Sequence, residues 1–222
     1  MQLAKPAVDV GLYTNQLDAM LAFWQEQAGV PFAELLKVGG GVHQHRHAIG
    51  DSVLKINHTR ETLPTDQPTG LKCLEIYSDA VDEPLELIDP DGNELILAPG
   101  DARQQNLCMQ IEANDVDRSL TFYRDVLGLP AAGEDGVVIG ASRLAFRPGE
   151  VRPFERQARG YRYLTVQVFD VVGTHQQILA AGGAEGMAPV RLGEVAYISF
   201  VLDPDGNWIE ISQRKSITGS LD

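Results

Sequence analysis

Hydrophobic and polar positions along this chain change their period in a fixed order, and the order repeats. Residues 8–14 alternate as a strand with one buried face would. From Asn15 or Gln16 the spacing lengthens, and Met20, Leu21, Trp24 and Ala28 form the single apolar stripe of a helix that Gly29 ends. Alternation returns over 31–38, 42–48 and 52–58, with Gly39, Gly40 and Gly41 separating the first two of these strands. Gly50-Asp51 separates the last two and suits a two-residue type II′ hairpin, with Gly in the first loop position. These elements complete one βαβββ module.

A second module starts with the strand 71–77, beyond a Pro-containing linker at 59–69. It has no room for a helix between Ser78 and Glu83, so only its first strand and the hairpin around LIDPDGNELIL (87–97) are expected. After a joining stretch at 98–105, a third module opens with the strand at Leu107. Asp115 caps its helix, the stripe is Val116, Leu120, Tyr123 and Leu127, Gly128 stops it, and short strands follow at 137–139 and 143–146. The charged linker 148–160 leads to a fourth module. It has a strand at 163–168, a helix capped by Asp170 and ended by Gly182-Gly183, and a hairpin over 196–212 that contains DPDGNWIEI. Recurrence of DPDG at Asp89 and Asp203, and of aromatic pairs at Phe23-Trp24 and Phe122-Tyr123, points to internal duplication. The expected domains are residues 1–100, with two modules of which the second lacks its helix, and residues 105–222, with two more.

Composition narrows the partners. With 44% hydrophobic residues and no apolar run of membrane-spanning length, nothing in the chain calls for a bilayer. A formal charge of −13 opposes nucleic acid and anionic membrane, so the partner expected is a small molecule. The first ten residues read as the start of a strand, not a targeting peptide, which makes the cytoplasm the expected compartment. Cys73 and Cys108 are too few for a disulfide framework and read as buried, reduced thiols.

DVDRSLTFYRDVLGLP, taken with DPDGNWIEI, resembles the vicinal oxygen chelate superfamily, which includes glyoxalase I, bleomycin resistance proteins and extradiol dioxygenases. The resemblance implies an α+β fold of tandem βαβββ modules in two half-barrel cups, each made by a pair of modules, with the second module truncated. In metal-using relatives a His on a module's first strand and a Glu at the end of the DPDGNxxE run hold the ion. Glu210 matches that Glu, but the His positions carry Cys108 and Tyr163, and their counterparts in the first half are Asp9, Lys72 and Ile96. No cofactor is therefore favoured, although a divalent metal remains open.

Strand alternation assigns side chains to the cups. If Lys55 is the counterpart of Glu210, the first cup presents Lys55, Asn57, Gln44 and Arg46, with Asp9 and Tyr13, which suits a carboxylate or enolate. A desolvated Lys55 beside other cations would serve as a base. The second cup presents Cys108, Arg143, Tyr163, Phe200, Trp208 and Glu210, an aromatic pocket in which Glu210 would be the general base and Arg143 would hold an oxyanion. In each cup the competing reading is a structural ion pair that fills the interior.

His43, His45 and His47 alternate on one strand and are the best metal candidates, because i and i+2 side chains point the same way. A two-residue loop at Gly50-Asp51 turns them away from the cup, and a three-residue loop would bring them inside. The leading functional expectation is lyase- or isomerase-type chemistry on a small oxyanionic or carbonyl compound, without the usual metal centre. The alternatives are a non-catalytic, drug-sequestering binder and, third, a metal-dependent ring-cleaving dioxygenase. Four modules can pair within one chain, so a monomer and a homodimer are both compatible with the sequence.

Overall fold

The computed structural model describes residues 1–221. Module one consists of β1 (Leu3–Thr14), α1 (Leu17–Ala22), β2 (Phe32–Lys37), β3 (His43–Ile49) and β4 (Ser52–His58). Module two has β5 (Leu71–Ser78), β6 (Leu85–Ile88) and β7 (Glu94–Pro99), without a helix, as its short 78–83 segment requires. Module three has β8 (Leu107–Ala113), α2 (Val116–Thr121), β9 (Gly136–Ile139) and β10 (Ser142–Pro148). Module four has β11 (Gly160–Val168), α3 (Val171–Ala180), β12 (Ala184–Leu192), β13 (Ala196–Leu202) and β14 (Trp208–Arg214), followed by a short α4 (Lys215–Thr218).

The sheets do not follow the two halves of the chain. An eight-stranded sheet runs β12-β13-β14-β11-β1-β4-β3-β2, and a six-stranded sheet runs β6-β7-β5-β8-β10-β9. Module one thus pairs with module four through antiparallel β1 and β11, and module two pairs with module three through β5 and β8. This corrects the expectation that each cup is built within one half. The two modules of each half are separated into different sheets, the inner modules two and three sharing one and the outermost modules one and four closing on each other in the other.

Local choices explain the elements. Asp115 and Asp170 sit in extended conformation before their helices, and each carboxylate accepts a backbone N–H three residues on, from Arg118 and Gly173. Such caps satisfy donors that the first helical turn leaves free, at about 1 kcal/mol each. Both α1 and α2 widen into a π-helical turn at the duplicated aromatics, over Phe23–Gln27 and Phe122–Val126. This places Trp24 and Tyr123, both essentially inaccessible, in a shared core with Leu12, Leu54, Leu74 and Met109. That core fills the convex side of the sheets. The concave side of the larger sheet has its own small cluster, including Tyr13, Val42, Tyr163 and Phe200.

One strand, β12, was not anticipated. It carries Gly186 and Pro189 and pairs with β13 through two register shifts, which hides the alternation that would mark it. Among the described residues no helix is long and apolar enough to cross a membrane.

Candidate functional site

Pairing modules one and four brings the module-one part of the first expected cup and the module-four part of the second onto one concave surface. Parallel pairing of β1 with β4 sets Lys55 beside Gly11, while β11 and β14 set Thr165 beside Glu210. Antiparallel pairing of β1 and β11 sets Gly11 against Tyr163. A cleft of about 330 Å³ opens over this floor, with Tyr13, Lys55, Tyr163 and Glu210 among its lining residues.

Its deepest group is an ion pair. Lys55 Nζ lies 2.7 Å from Glu210 Oε2 and donates to Thr165 Oγ1 at 2.7 Å, while the Thr165 hydroxyl donates to the same Glu210 oxygen at 2.6 Å. Lys55 is 3% exposed and Glu210 8%. Burial pushes the Lys55 ammonium below the usual lysine range, with the Glu210 carboxylate pulling it back. Beside this pair, Tyr163 OH accepts from Asn57 Nδ2 at 3.0 Å, and Gln44 Nε2 donates to Asn57 Oδ1 at 2.9 Å. Burial, with the Glu210 charge next in weight, drives the Tyr163 phenol well above its ordinary value, so it stays a neutral donor. Arg46 donates to Gln44 Oε1 at 3.0 Å and meets Glu34 at 2.9 Å; Arg214 reaches the same Glu34 carboxylate at 3.2 Å.

Aromatic groups form the opposite wall. Phe200 packs edge-on against both Tyr163 and Trp208, with ring centres 5.8 and 5.7 Å away. Val42, Met187 and Ile198 extend the apolar lining toward the mouth. This is the make-up of a small-molecule site: largely apolar, with a few converging polar groups.

A family model described as "Glyoxalase/Bleomycin resistance protein/Dioxygenase superfamily" matches residues 104–211. The lactoylglutathione lyase of Haemophilus influenzae is 30% identical over 135 residues, which cover 53% of this chain and 98% of that protein. The chain belongs to this superfamily. A probable lactoylglutathione lyase of Synechocystis is likewise 30% identical, over 122 residues covering 48% of this chain and 92% of that one. Among solved structures, glyoxalase I from Zea mays superposes with a TM-score of 0.76 at 16% identity, covering 99% of this chain and 96% of that chain. At that identity the superposition speaks for the fold, and it bears out the α+β reading and the glyoxalase-like architecture.

A metal centre of the kind that the superfamily resemblance implies finds no suitable donor set here. The positions that would supply ligands in the larger sheet are Asp9, Lys55, Tyr163 and Glu210. An ammonium has no lone pair to offer and already sits on the Glu210 carboxylate. Burial holds the Tyr163 phenol neutral, and Asp9, whose Oδ1 is taken by Lys5 at 2.5 Å and by the Val53 N–H at 2.9 Å, keeps an unpartnered Oδ2 but does not line the cleft. These groups do not fit a divalent ion. The corresponding positions of the smaller sheet, Lys72, Ile96 and Cys108, offer no better set.

The histidine strand follows the two-residue loop. Ile49 pairs with Ser52 and His43 with His58, and Gly50 takes a φ of 54° as the turn needs. His43, His45 and His47 therefore point away from the cleft. His47 is buried with Nε2 3.2 Å from Gln25 Nε2, and Phe32 lies against His45 and His47. Among the described residues no three His, Cys, Asp or Glu side chains gather as a metal site.

Three predicted site residues lie outside the cleft. Arg143 and Cys108 are neighbours on β10 and β8 in the smaller sheet, and Arg143 pairs with Asp135 at 2.6 Å. Arg143 is thus not beside Glu210, because module three shares its sheet with module two. Asp9 is buried against Lys5 and does not line the cleft. Lys55, Arg46, Gln44, Asn57, Tyr13, Tyr163, Phe200 and Glu210 do line it, and Trp208 backs Phe200. Sequence reasoning missed Arg156, whose guanidinium lies 4.6 Å from the Phe200 ring centre and 5.5 Å from that of Trp208. It comes from the 148–160 linker, where no periodicity assigns a side chain to a face.

Proposed function

We propose that this protein catalyses lyase- or isomerase-type proton transfer on a small oxyanionic or carbonyl compound bound in the cleft between modules one and four. The observation that carries the reading is the Lys55–Thr165–Glu210 cluster, a carboxylate and a cation held together at the floor of an apolar-walled pocket. Glu210 accepts the proton from carbon. As it does so the carboxylate gives up its charge, Lys55 is released from its ion pair, and the ammonium faces the oxyanion developing on the substrate. Thr165 keeps both groups in place. The neutral Tyr163 phenol, held in place by the Asn57 amide, orients the substrate oxygen without competing for the proton. Relatives named lactoylglutathione lyase support the reaction class, and lactoylglutathione is the first compound to assay.

The test follows deuterium incorporation next to the carbonyl of lactoylglutathione and of a panel of 2-oxo acids in heavy water, by NMR. Wild-type protein is expected to catalyse exchange into at least one of them. Glu210→Gln should lower the rate by about 10²-fold or more, and Lys55→Met by a comparable factor. Exchange that survives Glu210→Gln unchanged would sink the assignment. A second reading, binding without turnover, is favoured by the mutual neutralisation of Lys55 and Glu210, which leaves a satisfied pair under an apolar cavity. Saturable binding with no exchange in any compound would select it.

A further inference from the structure

The charges around the cleft do not balance, although the molecule as a whole carries −13. Lys55 is matched by Glu210, while Arg46 and Arg214 share the single carboxylate of Glu34. Arg156 adds a further cation, and among the described residues no carboxylate lies within ion-pair distance of it. Its one polar side-chain contact is from Nη1, which donates to the Tyr13 hydroxyl at 3.4 Å. Two positive charges are therefore left over in a pocket whose walls are otherwise apolar and aromatic.

Arg156 is also held in place. Its segment is tied down by the Glu155 N–H donating to Gln67 Oε1 at 2.8 Å, the Arg159 N–H donating to Pro64 O at 3.0 Å, and Arg162 Nε donating to Ala158 O at 2.7 Å. A guanidinium stacked on aromatic rings is pre-oriented, and its edge keeps N–H donors free for a planar, bidentate acceptor. Phosphate would also accept such donors, but the apolar lining beside Arg156, with Phe200, Met187 and Ile198, suits a ligand with only one charged end.

We infer that the cleft takes a carboxylate with an apolar body: Arg156 receives the carboxylate, the Phe200 wall receives the body, and the reactive oxygen points down to Lys55. This rests on the reading of the cleft as a small-molecule site and adds the substrate class. A carboxylate bound at Arg156 restores near-neutrality to a region where uncompensated guanidinium groups repel each other. The apolar body replaces water over the Phe200 and Ile198 surface. Neutral molecules of the same shape gain only the second contribution.

The experiment is a calorimetric titration of full-length protein with 4-phenylbutyrate, its amide, and the corresponding amine. The carboxylate is expected to bind about tenfold more tightly than the amide, and the amine weakest, as one charge-assisted hydrogen-bonded contact predicts. Arg156→Gln should reduce the carboxylate preference to below about threefold, while Arg156→Lys keeps part of it. Equal binding of carboxylate and amide by the wild type, binding of neither, or a preference that survives Arg156→Gln would each overturn the inference. The wild-type comparison stands even if a variant fails to fold. Because it measures equilibrium binding, it separates from the exchange assay. Carboxylate preference without exchange would leave this inference standing and remove the proposed chemistry, and exchange without preference would do the reverse.

Discussion

A side chain at position 11 would collide with the floor of the cleft: a Cβ built there falls 2.1 Å from Cζ of Tyr163. Gly11 lets the phenol ring lie flat over β1, which brings Tyr163 OH to Asn57 and holds the ring edge-on to Phe200. Gly11→Ala should force Tyr163 out of this position and cost about 1–3 kcal/mol in denaturant unfolding. In a Tyr163→Ala background the same change should cost little, so a double-mutant cycle checks whether the two positions are coupled. The sequence shows Gly11 in a strand but gives no reason for it, since the contact depends on a partner far away in the chain. Lys55 and Glu210 illustrate the same limit. Each was legible as cup-facing from strand alternation, but their contact with each other was not, because it crosses the β1–β11 seam.

At the level of elements the chain is most readable where one interaction decides the outcome. The Gly50-Asp51 loop sets the register of β3 and β4, and with it the faces of Arg46 and His47. Asp115 and Asp170 announce their helices through capping chemistry. Reading failed where an element is defined by its neighbours: β12 is held by pairing with β13, and the π-helical turns lie where Trp24 and Tyr123 enter the core. The smaller sheet carries a testable consequence of such packing. Cys73 on β5 and Cys108 on β8 are buried, and desolvation first, then nearby carboxylates, pushes both thiols from 9.0 up to about 12. A thiol with a raised folded pKa favours the fold fully below its unfolded value and loses that contribution as pH rises through the folded one. Stability should therefore fall between pH 9 and about 12. A Cys73→Ala/Cys108→Ala protein should show a shallower fall in chemical denaturation over the same range, and an identical slope would count against the thiols.

For the whole molecule, duplication was visible in the repeated DPDG turns, yet the partners of the modules were not. Four similar modules can pair in sequence order or in the nested order found, and local sequence does not distinguish them. Contacts between the sheets favour the nested order. Asn207, in the last DPDG turn, accepts from the Gly70 N–H at 2.9 Å, and Asn93, in the first, accepts from the Tyr161 N–H at 3.1 Å. Each turn thus fastens the start of a strand belonging to the other sheet. Ser142 on β10 likewise reaches Ser52 on β4 at 3.0 Å. Separating the chain near residue 102 would break both seams at once. One fragment would keep β1 and β5, the other β11 and β8, and each would expose one bare edge of a formerly central strand in both of its half-sheets. Neither fragment, 1–102 or 103–222, should unfold cooperatively alone. Mixed together they should regain a single transition, and with it the Lys55–Glu210 pair that only their union creates. Near-UV circular dichroism during a urea titration reads this directly. A sharp transition in either isolated fragment would mean that the two modules of one half can also close on each other, and that the nested pairing is one of two accessible arrangements.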